Sequence, residues 1–215
     1  MTNEKSNWWV GNHYANCERR RLLLLGESAY DWTEDNIQYK VQPGGAHARE
    51  LIEDAIDKFT RNRSFSDISR TIACASRGLV GKQNPEPDEL ERAWHEVAFR
   101  NYVPGSVGDG AQSEPMNEHW NAGRDAFRTL LNELQPHNII VFGHRLWRHM
   151  PDADLHVTND VQGYRFNDGQ CAMCWVVTHP TRMAWQRLDR VIRLIRAIEK
   201  PLGDYICEMA SEMTS

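Results

Sequence analysis

Four short apolar runs punctuate the chain at wide intervals. The first, Arg21 to Leu25, sets four leucines in succession between a basic residue and Gly26. The others lie near Val97 to Val103, from Asn138 to Phe142, where Gly143 closes the run, and from Ala172 to Thr178, where His179-Pro180 closes it. Unbroken apolarity over so few residues suits strands covered on both faces, as in parallel sheets. The stretches between carry a helical period instead. His47 to Phe59 spaces Leu51, Ile52, Ala55, Ile56 and Phe59 along one face, and Asn117 to Leu134 does the same with Trp120, Phe127, Leu130, Leu131 and Leu134. Pro87 to Val97 opens on proline and acids, a favourable first turn. Arg182 to Glu199 aligns Leu188, Val191, Ile192, Ile195 and Ile198 before Pro201 stops it, and Ser66 to Ala75 reads as a further helix. This alternation predicts a three-layer α/β/α sandwich around a central, mainly parallel four-stranded sheet. One domain over residues 1–215 is expected, with a helical insertion at about 33–95. Gly163 to Gly169 predicts a strand and a hairpin turn. Gly78 to Pro87 predicts a mobile loop, and Pro104 to Pro115 a glycine-rich loop able to approach a ligand closely.

Composition narrows the class. Hydrophobic residues make up 40% and charged residues 26%, the balance of an ordinary globular domain. No apolar run approaches the ~20 residues of a membrane helix, and the N-terminal MTNEKSNWWVGNHY lacks an apolar core after a basic start, so neither a membrane anchor nor an export signal is expected. Cys17, Cys74, Cys171, Cys174 and Cys207 form an odd, scattered set, which predicts a cytoplasmic setting rather than a disulfide framework. Cys171 and Cys174 have Cys-x-x-Cys spacing, but on a strand positions three apart face opposite ways, so they read as structural and no metal is expected. His144, His149 and His156 lack ligand-like spacing and read as surface. A net charge of -5 argues against coating DNA by bulk electrostatics but leaves room for local basic patches. Two are present: Arg19 to Arg21, and the set Arg182, Arg187, Arg190, Arg193 and Arg196, which taken alone reads as a solvated helix face.

The unusual residues gather where three of the strands end. Ligands of open α/β sheets bind beyond the carboxyl ends of the strands. There the first run enters Gly26-Glu-Ser-Ala-Tyr-Asp-Trp32, the second enters Asn101-Tyr-Val-Pro-Gly105, and the fourth enters Thr178-His-Pro-Thr-Arg-Met-Ala-Trp185. This set resembles the uracil-DNA glycosylase superfamily. Its first motif, of the form Gly-Gln-Asp-Pro-Tyr-His or Gly-Glu-Ala-Pro-Gly, is matched by Gly26 to Asp31. Its second, His-Pro-Ser-x-Leu, is matched by His179-Pro180-Thr181-Arg182-Met183. The strand bearing its base-pairing asparagine is matched by Phe99 to Val103, and its third strand by Pro136 to Leu146. The resemblance covers roughly Leu22 to Gly26 and Val97 to Arg196, and not residues 33 to 95. Ser28 stands where the best-known uracil enzymes keep a water-positioning aspartate, and Ala29 replaces a proline. Some branches hold an iron–sulfur cluster; here Pro104-Gly105 follow the asparagine strand without a cysteine, so neither a cluster nor any other cofactor is expected.

The resemblance implies a monofunctional DNA glycosylase acting on a flipped base in double- or single-stranded DNA, as a monomer. Breaking a base–sugar bond builds positive charge on the sugar and negative charge on the base, which calls for acceptors below the sugar and donors around the base. Glu27 and Asp31 are the available carboxylates, and either could hold the attacking water; Asp31 is the slightly favoured direct contributor, with Glu27 positioning. Asn101 offers a donor and an acceptor to a base edge, His179 can donate to the oxygen of the departing base, Tyr30 walls the pocket, and Ser28 completes the base-binding set that the resemblance implies. Met183 takes the family's wedge position, flanked by Arg182 and Trp185, where an apolar side chain offsets the unstacking of a flipped base. Singly these residues have plainer readings: Asp31 as a helix cap, His179 as a structural histidine, Met183 and Trp185 as core. Uracil and a modified pyrimidine, such as the decorated cytosines of phage DNA in a defence role, stand as equal substrate classes. A non-catalytic DNA-binding module and a nucleoside or nucleotide hydrolase are the alternatives.

Overall fold

The computed structural model describes residues 8–16, 21–34, 37–39, 52–53, 86–109, 113–179, 194 and 197; for 30–34, 37–39 and 109 it describes the backbone alone. In chain order the strands are β1 (Trp9–Val10), β2 (Leu22–Gly26), β3 (Ala29–Glu34), β4 (Ile37–Tyr39), β5 (Val97–Asn101), β6 (Ser106–Asp109), β7 (Asn138–Phe142), β8 (Leu155–Thr158), β9 (Val161–Arg165) and β10 (Cys171–Val177). The helices are α1 (Pro87–His95), α2 (Asn117–Leu134) and α3 (His144–His149).

The protein is α/β, and its main sheet has seven strands in the order β1-β5-β2-β7-β10-β9-β8. The four expected strands are its parallel centre, β5-β2-β7-β10. The expectation of a four-stranded sheet is corrected by three antiparallel additions, β1, β9 and β8. They escape an apolar-run search for a physical reason. β1 is two residues long, and every position of β8 is exposed at the sheet edge. β9 was foreseen in part: it runs antiparallel to β10 and is followed by a turn in which Gly169 takes φ +85°.

Side-chain alternation explains why the central strands read as unbroken apolar runs. Leu22 and Leu24 of β2, Val97 and Phe99 of β5, and Ile140 and Phe142 of β7 pack into one core with Leu90, Ala93 and Trp94 of α1 and with Ile52. Leu23, Leu25, Ala98, Ile139 and Val141 point the other way, into a second core with Trp120, Phe127, Leu130 and Leu131 of α2 and Leu146 of α3. Each fully buried leucine of β2 contributes about 1.5–3 kcal/mol on leaving water.

The helices that cover these faces have clear local causes. α1 starts with Pro87 and a capping box, in which the Glu86 backbone N–H donates to Glu89 Oε2 at 2.7 Å. α2 spans Asn117–Leu134, as its periodicity predicts, and ends on Gln135 in the left-handed region. It approaches the segment just after β5 closely at Gly123, where a Cβ would lie 2.6 Å from the Tyr102 ring.

A second sheet, β4-β3-β6, occupies stretches read as insertion and loop. Residues 29–34 and 37–39 are strands, so the segment expected to be helical from 33 opens as strand. β6 falls inside the expected Pro104–Pro115 loop and pairs in parallel with β3, Ala29 opposite Ser106 and Asp31 opposite Asp109. Ile52, Glu53, Leu194 and Ala197 are helical, in line with two expected helices; the rest of those helices, Ser66 to Ala75 and most of Gly78 to Pro87 lie outside the described residues.

Candidate functional site

The chain order of the central strands reverses beside β2. From β2 the path goes to β5 on one side, then to β7 on the other, and on to β10. The gap between β2 and β7 is therefore a topological switch point, where crevices open at the carboxyl ends of parallel strands. Adjacent strands lie about 4.8 Å apart, so the four ends span about 14 Å.

Four groups stand along this edge. At the end of β5, Asn101 lies in register with Gly26. The Gly26 carbonyl accepts from the Tyr102 N–H at 2.8 Å, and the Glu27 carbonyl from the Val103 N–H at 2.9 Å, so the two segments stay paired past the strands. A side chain at Gly26 would meet Asn101 Oδ1, so glycine here leaves the amide its place at the strand end. At the end of β7, Gly143 takes φ +111° and donates its N–H to the Val177 carbonyl at 2.8 Å. The His179 Cβ lies 3.9 Å from where a Gly143 Cβ would sit, and the His179 ring meets Phe142 edge-on at 6.5 Å. Asn101, Glu27, Gly143 and His179 thus follow β5, β2, β7 and β10 in spatial order.

The switch point itself is bridged by an ion pair. Arg145 on α3 donates from Nε to Glu27 Oε2 at 2.8 Å and from Nη2 to Oε1, a bidentate grip. Its Nη1 donates to Glu114, from the segment leading into α2. The hydrogen bond to Glu27 is the main reason the Arg145 guanidinium is pushed to still higher pKa, so it stays charged throughout the accessible range. The Glu27 side chain is only 15% exposed, against 74% for Glu114.

One helical turn beyond Arg145, His149 stacks on Trp120, with centroids 4.0 Å apart and planes 2° from parallel. This corrects the surface reading of His149. Its pKa is depressed, first by burial, then by the charge of Arg148, with Glu27 opposing. His144 and His156 are exposed, as expected. Cys174 is buried in the second core and Cys171 half-buried.

The remaining sequence-predicted residues divide clearly. Ser28 is half-buried between β2 and β3. Asp31 and Tyr30 lie in β3, not in the strand-to-helix loop the cap reading assumed, and their side chains are not described. Arg182, Met183 and Trp185 lie outside the described residues. Arg145 and Glu114 were missed. The signal for Arg145 was available, since it stands two residues past the glycine that ends the third apolar run, at a strand end left out of the search.

No protein-family model matches the chain, and no curated protein matches it. The site must therefore be read from its own chemistry. It presents a fixed carboxylate, an amide with donor and acceptor, an imidazole and a guanidinium along one edge of the sheet. Among the described residues no group of three or more His, Cys, Asp or Glu side chains could hold a metal, and no helix is long and apolar enough to cross a membrane.

Proposed function

We propose that the chain is a divergent member of the uracil-DNA glycosylase superfamily: a monofunctional DNA glycosylase that hydrolyses the bond between a flipped base and its deoxyribose and leaves an abasic site. The observation that carries this reading is that Asn101, Glu27 and His179 stand at the carboxyl ends of β5, β2 and β10, on one edge of the sheet's parallel centre, with only β7 between the last two. Parallel strands bring all their carboxyl ends to one edge. They do not dictate that a carboxylate, an amide and an imidazole stand there, each from a separate motif.

The reaction needs water oxygen to bond to C1′ of the sugar while the base departs with the bonding electron pair. A carboxylate takes the water's proton, and the base gains one. Asp31, whose strand leaves the crevice beside Glu27, is the direct contributor. Glu27, with both carboxylate oxygens held by Arg145, is the positioning residue. Asn101 reads the base edge, and His179 donates to the oxygen on which negative charge accumulates; one such donor is worth about 10²–10³ in rate. Tyr30 walls the base, and Met183, with Arg182 and Trp185, holds the gap left in the duplex. The sheet, helices and two cores fit the three-layer sandwich of the superfamily.

The test is excision on oligonucleotides carrying uracil, hypoxanthine or modified cytosine, and on phage DNA, scored as abasic sites. The expected result is product on a uracil or modified-pyrimidine substrate, lost in Asn101→Ala and His179→Ala. Product that survives both substitutions would refute the assignment of the site.

A further inference from the structure

We propose that Arg145 is a phosphate-binding residue and that Glu114 occupies its phosphate position in the free protein. The inference rests on the glycosylase reading for its choice of ligand, but its geometry stands independently. A guanidinium has five N–H donors in one plane. Glu27 takes the one on Nε and one of the two on Nη2, and Glu114 takes one on Nη1. The two carboxylates are unlike. Glu27 follows a buried strand and is largely enclosed, so it fixes the guanidinium plane. Glu114 is 74% exposed, and water and salt screen so exposed a pair until its net contribution is small. The outer edge of Arg145 is thus aimed by a strong partner and filled by a weak one.

Charge points the same way. Arg145, Glu27 and Glu114 together carry one net negative charge, which repels a polyanion at the crevice. With Glu114 displaced the trio becomes a neutral pair, and the outer edge of the fork matches two phosphate oxygens. The position fits the substrate: the phosphates of a flipped nucleotide flank a sugar held at the strand ends, where Arg145 stands.

The experiment measures binding of a lesion-free DNA duplex to the full chain by fluorescence anisotropy across a salt series. Variants are Glu114→Gln, Arg145→Gln, the double variant, and Glu118→Gln, an exposed acid in the first turn of α2, as a control for general charge. Glu114→Gln is expected to bind about 3–10-fold tighter at low salt, with a log–log salt slope steeper by about one. Glu118→Gln should change neither quantity comparably, and in the Arg145→Gln background the Glu114 effect should vanish. Equal gains from Glu114→Gln and Glu118→Gln, or a gain that persists without Arg145, would overturn the proposal. If Arg145→Gln fails to fold, the comparison between Glu114→Gln and Glu118→Gln still decides.

Inorganic phosphate and a free deoxynucleoside monophosphate are titrated in parallel. A Glu114 effect confined to the mononucleotide keeps the phosphate site and removes DNA as its source. Abasic-site formation, scored in the same samples, separates the two claims. Tighter binding without product keeps the site and sinks the glycosylase; product with no Glu114 dependence does the reverse.

Discussion

Arg145 closes Nε and Nη2 on the two carboxylate oxygens of Glu27 across a sequence separation of 118 residues. One partner follows the first parallel strand and the other follows the third, so the pair spans the switch point rather than decorating it. Removing Arg145 leaves a mostly enclosed carboxylate without its donors, at a cost of about 1–3 kcal/mol. Arg145→Gln should therefore lower the free energy of unfolding by that amount and reduce kcat. Arg145→Lys, which keeps the charge but not the fork, should recover stability only in part. Denaturant titration and excision kinetics check both. Wild-type stability in Arg145→Gln would mean that the pair does not hold Glu27.

Gly26→Ala should abolish excision while leaving a folded protein. The added Cβ has nowhere to go but into Asn101 Oδ1, so the amide must swing away from the crevice. Asn101 Oδ1 ends a rotatable side chain, so the swing costs the fold little while it removes the amide from the site. Gly169→Ala is the contrasting control: Gly169, unlike Gly26, has a positive φ, no atom lies within 4 Å of its added Cβ, and it sits in the turn between β9 and β10, away from the strand ends. It should lose some stability and keep activity.

Much of the frame could be read from sequence because burial on both faces leaves a simple trace. Leu22 to Leu25 alternate between two cores, so all four positions must be apolar. α2 was legible to the residue because its buried set, Trp120, Gly123, Phe127, Leu130 and Leu131, keeps one face. The sheet β4-β3-β6 was not legible. Asp31, Glu34, Ser106, Gly108 and Asp109 carry no apolar signal, and the pairing of Ala29 with Ser106 is made by the fold, not by local preference. The site was legible to the same degree. Glu27, Asn101 and His179 each end an apolar run, whereas the role of Arg145 comes from a partner far away in sequence. His149 read as surface because the ring that covers it, Trp120, sits on another helix.

Acid should weaken the fold through His149. Burial on Trp120 lowers its folded pKa below the unfolded value of about 6.5, with Arg148, Arg124 and Arg145 acting in the same sense and Glu27 against. For a base with a depressed pKa the unfolded chain takes up the proton first. Stability is thus intact above the ordinary histidine range and falls as pH drops through it towards the depressed value. His149→Phe keeps a ring on Trp120 without titrating. Thermal melts between neutral and mildly acidic pH should show a smaller decline in this variant, and an unchanged decline would assign the effect elsewhere.

Leu24→Ala should cost about 2–5 kcal/mol, because Leu24 is fully buried between β5 and β7 and its removal leaves a cavity. Leu155→Ala, at an exposed edge position, should change stability by no more than about 0.5 kcal/mol. Urea midpoints for the pair test whether the core lies on β2 as described.

The most direct measurement is the count of abasic sites left in uracil-bearing, modified-pyrimidine and phage DNA by the wild-type chain beside Glu27→Gln, Asp31→Asn, Asn101→Ala and His179→Ala, all shown to be folded. The account predicts product from the wild type on one of these DNAs and a fall of about 10²-fold or more in the Asn101 and His179 variants. Intact DNA on every substrate, with the wild type folded and bound to it, would contradict it and leave a DNA-binding module in its place.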